Sequence, residues 1–396
     1  VRLDQALNRS RTPVQARFGT VTAVNPGICT VKVAGGEIPV IYLKGGAPSV
    51  GDFVRVHRQG VVSYLLNPSS GGVVIWPFGD EYGPDGPTYR YSASGTLGAT
   101  GPGGTVDKYV AQGMWADGQS LMVSVQSIPT FVYGYIKVAS GSLSNGPFVG
   151  VPSTLLSAGA FDAKTQWWAA WDTTSGYTLA VYDLSGATVA NFPVESAAST
   201  TPYAGLTYWD GATGTVWAPF GDSSGVIGVA IAVPATGALT LAYPLGYTGS
   251  VFGLGVDSGH GVGYTVLYSY PFTNAQVLLI DSSTGALLGV VSLAGVALNG
   301  LLADTKRGVA YVPYRGTNGP VLAVVTSSGL LAAEVPYPAG ATYPAGYWPT
   351  ISPDGATAFF GASTNSGYAI AVLDCATQTF TGAFPVPDQP AYLVGI

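Results

Sequence analysis

A four-part unit recurs along this chain, and its clearest copy runs from Val251 to Leu293. The copy breaks into apolar runs at Val251–Val256, Gly263–Tyr268, Gln276–Ile280 and Ala286–Leu293. Asp257-Ser-Gly259 and Ser283-Thr-Gly285 punctuate it. Asp, Ser and Gly supply the positive φ and local side-chain hydrogen bonds that tight turns need. Two hairpins in series predict a four-stranded meander.

The turn residues return with the unit. Asp117, Asp162, Asp210, Asp257, Asp304 and Asp354 fall in successive first hairpins, 45 to 50 positions apart. Gly95, Gly141, Gly186, Gly237, Gly285 and Gly329 mark the second hairpins, with Gln378 near the expected place in the last unit. Four strands repeating at this period are the mark of a β-propeller. Full units begin near Tyr109, Leu155, Tyr203, Val251, Leu298 and Gly346. A three-strand piece (Val73–Phe78, Thr88–Ala93, Thr96–Ala99) and a lone strand at Ala391–Ile396 are left over. The predicted fold is all-β, with a seven-bladed propeller over residues 71–396. Its C-terminal strand completes the first blade and closes the ring, so neither edge is left exposed.

Within the units, small residues in the first strands (Ala204-Gly205, Gly253, Gly255, Ala345-Gly346) suit crowding around a central channel. Trp76, Trp167, Trp168, Trp217 and Tyr311 in second strands are expected between packed blades. Outer strands such as Leu239–Tyr243 and Leu330–Glu334 carry almost no charge. Short twisted strands, or coverage of the rim in an assembly, would each explain that bareness.

Before the propeller, Arg17 to Leu66 holds five strand-like runs: RFGTVTAV, ICTVKVA, EIPVIYLK, FVRVHRQ and VVSYLL. Five short strands in so little chain fit a small barrel of the OB type, assigned to residues 17–70. Asn67-Pro-Ser-Ser-Gly-Gly72 is the linker. Residues 1–16 form a basic arm, and with Arg17 it presents Arg2, Arg9, Arg11 and Arg17. It reads either as a solvated terminus or as a docking arm. Nucleic-acid binding is disfavoured, because no stacking set of aromatics accompanies it.

Charge separates the two modules. Residues 1–60 carry eight basic and three acidic side chains, a net of +5, whereas the remainder carries seven against eighteen, a net of −11. Charged residues are only 9% of the chain, against about 25% in ordinary globular proteins. No apolar run reaches the ~18 residues of a spanning helix, so membrane insertion is not expected. The charged N-terminus shows no apolar stretch of a secretory signal. Cys29 and Cys375 lie far apart with no metal or disulfide spacing and are expected as buried thiols.

The basic arm, RFGTVTAV, the TVKVAGG hairpin and PSVGDFVRV together resemble the N-terminal OB-fold module of minor tail proteins from tailed phages, especially those of actinobacterial hosts. The resemblance spans roughly the first seventy residues. It implies a docking module in a virion tail tip, made in the host cytoplasm. Its implied partners are other tail proteins, in a symmetric homo-oligomeric ring. Ala310-Tyr-Val-Pro-Tyr314 and Ile351–Phe360 resemble propellers with a YVTN-like repeat, which speaks for fold and little for function.

Chemistry-bearing motifs are sparse. Gly221-Asp-Ser-Ser-Gly225 has the spacing of a nucleophile elbow, but a strand-like VIGVAIAV follows where a helix is required. His57 and His260 are the whole histidine supply. Asp257-Ser-Gly259 lacks the second such triplet an aspartic dyad needs. Asp80, Glu81 and Asp85 in a Gly-rich loop are oxygen donors for calcium or a solvated turn; their spacing is not that of an EF-hand. No cofactor, metal site or catalytic set is expected, and hence no enzyme. Tyr247, Tyr270, Phe272, Tyr314, Tyr343 and Tyr347 fall where inter-strand loops gather and form the candidate binding face. The expected function is tail assembly and host recognition, through protein or cell-wall glycan contacts. The alternative is a glycan-cleaving virion enzyme; a bacterial adhesin would require an export signal.

Overall fold

A computed structural model describes residues 15–25, 28–33, 36–41, 53–59, 62–65, 72–77, 88–92, 95, 97–101, 109–116, 120–127, 133–139, 143, 145–150, 160–162, 164–172, 178–194, 200–202, 207–222, 226–242, 250–268, 274–297 and 300–395. Most of them lie in β-strands. The one helical turn among them is the 3-10 turn Ser258–His260. No helix among the described residues is long and apolar enough to cross a membrane.

The first five strands are β1 (Gln15–Asn25), β2 (Ile28–Val33), β3 (Gly36–Ile41), β4 (Phe53–Gln59) and β5 (Val62–Leu65). They form a closed barrel in the order β1-β2-β3-β5-β4, with β4 returning antiparallel to β1 and β5 parallel to β3. Val21, Cys29, Val31 and Val40 fill its interior, so Cys29 is a buried thiol. β1 begins at Gln15, two residues before the expected edge of the arm.

Four-stranded sheets follow, each a meander of antiparallel neighbours. The sheet read first in the sequence has strands Ser250–Asp257, Val262–Tyr268, Ala275–Asp281 and Leu287–Leu293, within one residue of the runs expected. Around it lie Tyr109–Gly150, Ala160–Pro193, Thr200–Ala242, Gly295–Pro336 and Ala341–Val386, each with the same internal order. In two sheets the first strand is split. Thr200–Pro202 and Tyr208–Asp210 both pair with Thr215–Asp222, and Gly295–Ala297 and Leu302–Asp304 both pair with Val309–Gly316. Gly300, at a φ of 76°, lies in the second break and turns the chain out of the ladder.

The C-terminal strand completes a sheet with the start of the module. Pro390–Gly395 runs antiparallel to Gly72–Pro77, pairing Tyr392 with Trp76, Leu393 with Ile75, Val394 with Val74 and Gly395 with Val73. Thr88–Ser92 and Leu97–Gly101 continue that sheet outward. On its other side Tyr392 bridges Trp348 of the preceding sheet in parallel.

Core residues sit between sheets. Trp217 packs with Leu278 and Ile280 of the next sheet, Tyr311 with Phe360 and Leu373 of the one after, and Val73, Ile75 and Leu393 with Phe359 and Ile370. Burial of each such side chain removes enough apolar area to stabilise by roughly 1.5–3 kcal/mol. Close approach explains the small residues: a Cβ on Gly255 would lie 2.6 Å from Leu301 Cδ2, and one on Gly263 2.6 Å from Trp217 Cζ3. The fourth strands are open to solvent on one face. Leu288 is 53% exposed and Leu331 40%.

Candidate functional site

Antiparallel meanders have two unlike ends. One gathers the hairpins between first and second and between third and fourth strands; the other gathers the second-to-third hairpins and the links from sheet to sheet.

At the first end the recurrent Asp caps its own turn. Asp162, Asp210, Asp257 and Asp304 are all buried. Each accepts from residues two or three positions on: Thr165 hydroxyl to Asp162 (2.6 Å), Thr213 hydroxyl to Asp210 (2.5 Å), His260 amide to Asp257 (3.2 Å) and Lys306 amide to Asp304 (3.2 Å). In the last sheet Ser352 takes this place. Its hydroxyl donates to Asp354 (2.6 Å) and accepts from the Thr357 amide (2.9 Å). Neighbouring turns are also joined: Arg307 Nη1 donates to the Gly355 carbonyl (2.6 Å) and Lys306 Nζ to that of Asp354 (3.2 Å). Carboxylates engaged this way hold turns together.

The second hairpins repeat the device with a left-handed residue. Gly95, Gly186, Gly237, Gly285 and Gly329 have φ between 73° and 83°, and Gln378 takes the same conformation at 53°. Asp281 accepts from the Ser283 hydroxyl (2.6 Å) and from the Ser283 and Thr284 amides (2.9 and 2.8 Å). Those donors, the Ser283 hydroxyl foremost, hold its carboxyl down at about 2. An unfolded Asp titrates near ~3.9, so this turn's contribution is complete above about pH 4 and disappears as pH falls through the folded value. Asp281→Asn should therefore be less stable than the wild type at pH 7, and the gap in urea midpoint should close between about pH 4 and pH 2. A gap that stays constant with pH would contradict this.

At the opposite end, aromatic and ionisable side chains meet between strands. Arg315 is exposed near the end of strand Val309–Gly316. Its guanidinium lies 4.3 Å from the ring centroid of Tyr343, on the next sheet, and Nη1 donates to the Tyr343 hydroxyl. Tyr314 is 1% exposed and its hydroxyl donates to Glu334 Oε1. Burial first, then Glu334, pushes the Tyr314 phenol above its ordinary range. Tyr89 donates to Asp388 Oδ2 (2.8 Å), and burial together with that carboxylate raises it to about 12.

Of the six aromatics expected to form a face, Tyr314 and Tyr343 are described here, and Tyr314 belongs to the core. Tyr347 has its backbone in Ala341–Ile351, its side chain outside the described residues. Tyr247, Tyr270 and Phe272 lie outside them too, in the sequence between strands that end or begin on this side. Arg2, Arg9 and Arg11 lie outside as well. Arg17 pairs with Val56 through its backbone. Arg315, Glu334, Tyr89 and Asp388 were not singled out by sequence, because each acquires its role from a residue of another strand.

Gly221–Gly225 joins strands Thr215–Asp222 and Ile227–Val233, so the helix that an elbow requires is absent there. His260 Nδ1 lies 2.8 Å from Asp257 Oδ2 as part of the turn. Cys375 is buried, and burial chiefly lifts its thiol to about 12. Asp80, Glu81 and Asp85 are outside the described residues. Among the described ones no cluster of three His, Cys, Asp or Glu is placed to hold a metal.

Antiparallel four-stranded sheets packed in series define a β-propeller fold. Solved structures with this outline include a periplasmic gluconolactonase from Pseudomonas aeruginosa (TM-score 0.56, 14% identity, 82% of this chain and 99% of that one). A putative 6-phosphogluconolactonase from Bacteroides uniformis is alike to the same degree (0.56, 15%, 82% and 99%). The hydrazine synthase of Kuenenia stuttgartiensis matches at 0.55, with 12% identity over 73% of this chain and 90% of that one. No protein-family model and no curated protein matches the sequence.

These likenesses correct one expectation. A chain without a contiguous catalytic motif was expected to be no enzyme, yet propellers of this outline include a gluconolactonase. Propeller sites draw single residues from several sheets, so no short string marks them. Lack of a motif is therefore no ground for excluding hydrolysis.

Proposed function

We propose that this chain is a two-module component of a phage tail tip, in which the barrel docks into the tail and the propeller contacts a host-surface glycan or a neighbouring tail protein. The barrel is read as an OB fold, a reading supported by the path β1-β2-β3-β5-β4 with parallel β3 and β5. The propeller is read as a ring of seven blades, a count supported by the sheet that Pro390–Gly395 completes. The observation that carries the recognition role is the division between ends: turns locked by buried Asp on one side, and the Arg315–Tyr343 pair, formed between strands of neighbouring sheets with Arg315 exposed, on the other. Symmetric assembly as a tail ring belongs to the same proposal.

The full chain, labelled and mixed with actinobacterial cell-wall polysaccharide, should sediment with it and be displaced by soluble fragments of the same material. Failure to associate with wall material, alongside retained incorporation into tails, would leave docking and remove recognition. A second reading, hydrolysis of a glycan or a sugar lactone, is favoured by the gluconolactonase likeness. Acid release from glucono-lactone or shortening of wall glycan, above the uncatalysed rate, would establish it.

A further inference from the structure

We infer that Arg315 and Tyr343 form a subsite for the oxyanion of an acidic saccharide, a carboxylate or a phosphate carried on a sugar. The inference rests on the reading of this propeller end as a glycan-contacting face and adds its substrate class.

Arg315 stands out by what surrounds it. The propeller module is strongly acidic overall, yet Arg315 makes no ion pair among the described residues. Two carboxylates described at this end each accept from a tyrosine of another strand, Glu334 from the Tyr314 hydroxyl and Asp388 from that of Tyr89. The described hairpin and link residues that flank Arg315 and Tyr343, 316–319, 337–340 and 365–367, contain no Asp or Glu. A cation with no carboxylate in the hairpins that flank it, and no ion pair among the described residues, is available to an anion brought from outside.

The geometry suits that anion. Nη1 of Arg315 donates to the Tyr343 hydroxyl, and Cζ lies over the Tyr343 ring. This fixes the side chain and leaves the Nη2–Nε edge without a partner among the described residues. Such an edge binds carboxylate or phosphate through two parallel hydrogen bonds. Immobilising the guanidinium beforehand lowers the ordering cost of binding. Around it the exposed hairpin residues Thr317 and Asn318, and Asn365 and Ser366 from the next sheet, offer neutral donors and acceptors of the kind that sugar hydroxyls need. Tyr343 pairs with Ser363 at the base of that second hairpin, which places the two hairpins on either side of one seam.

The test is calorimetric titration of the full chain with hexagalacturonate, an oligomer of poly(glycerol phosphate) and maltohexaose, with near-ultraviolet circular dichroism as the check on folding. Wild type should bind at least one anionic probe more tightly than maltohexaose. Arg315→Gln should weaken that binding about tenfold or more, since a charged hydrogen-bonded contact is lost, with any affinity for maltohexaose unchanged. Arg315→Lys should recover part of the loss, because it restores charge without the fork. The two anionic arms separate carboxylate from phosphate. Equal binding of neutral and anionic probes, or full anion affinity in Arg315→Gln, overturns the subsite while leaving glycan recognition standing. Absence of binding to both anionic probes also overturns it, and recognition is then judged by the wall-polysaccharide assay alone.

Discussion

A chain lacking residues 390–396 is expected to lose its cooperative unfolding transition and to aggregate at concentrations where the intact chain stays dispersed. Pro390–Gly395 is bonded to Gly72–Pro77 on one flank and meets Ala341–Ile351 on the other. Its removal would uncover Val73, Val74 and Ile75, which are at most 1% exposed. Leu393 and Val394 would be lost from the core, at roughly 1.5–3 kcal/mol each, and two strand edges would be left unpaired. That total is a large part of the 5–15 kcal/mol by which domains are ordinarily stable. A milder variant, Leu393→Ala, should lower the unfolding free energy by about 2–5 kcal/mol. Calorimetry and size-exclusion profiles decide the matter. A deletion that melts as sharply as wild type, at the same temperature, would show that the strand closes nothing.

Asp304→Ala should be the most damaging single change at the hairpin end, with a loss of about 3–5 kcal/mol. Asp304 is 1% exposed and accepts from Arg307 Nη1 (2.8 Å), the Lys306 amide (3.2 Å) and the Tyr311 hydroxyl (3.3 Å). Alanine would leave a largely buried guanidinium and a fully buried phenol without their acceptor. Arg307 also reaches the Gly355 carbonyl of the next sheet, so the joint between two sheets loosens with it. Asp304→Asn, which keeps an acceptor, should lose less. Equal, small effects of Ala and Asn in urea titrations would mean that this carboxylate is not holding the turn.

What the sequence revealed was what is local. Turn chemistry repeats because each hairpin needs the same backbone conformation, and the spacing was strong enough to place Gln378 where other units have Gly. Its φ of 53° shows why the position matters more than the residue. Counting strands left one at the C-terminus and one gap at Val73, and those two pair.

Other features were hidden because alternation along a strand reports only that strand's own two faces. Nothing in the run around Tyr314 shows that its hydroxyl meets Glu334 and its ring is buried, while the next residue reaches out to Tyr343. Tyr89 and Asp388 meet across 299 positions. The splits at Thr200–Pro202 and Gly295–Ala297 were equally invisible, since two short first strands read like one. The site lies at such cross-sheet contacts, which is why the fold was far more legible than the chemistry.

Hydrogen exchange of the backbone amides in residues 391–395, followed by mass spectrometry on the intact chain, bears most directly on a propeller completed by its own C-terminus. Those amides should exchange as slowly as those of the central strand Ala275–Asp281 and be released only with global unfolding. Exchange within seconds, while Ala275–Asp281 stays protected, would contradict the pairing of the C-terminal strand and the closed ring proposed from it.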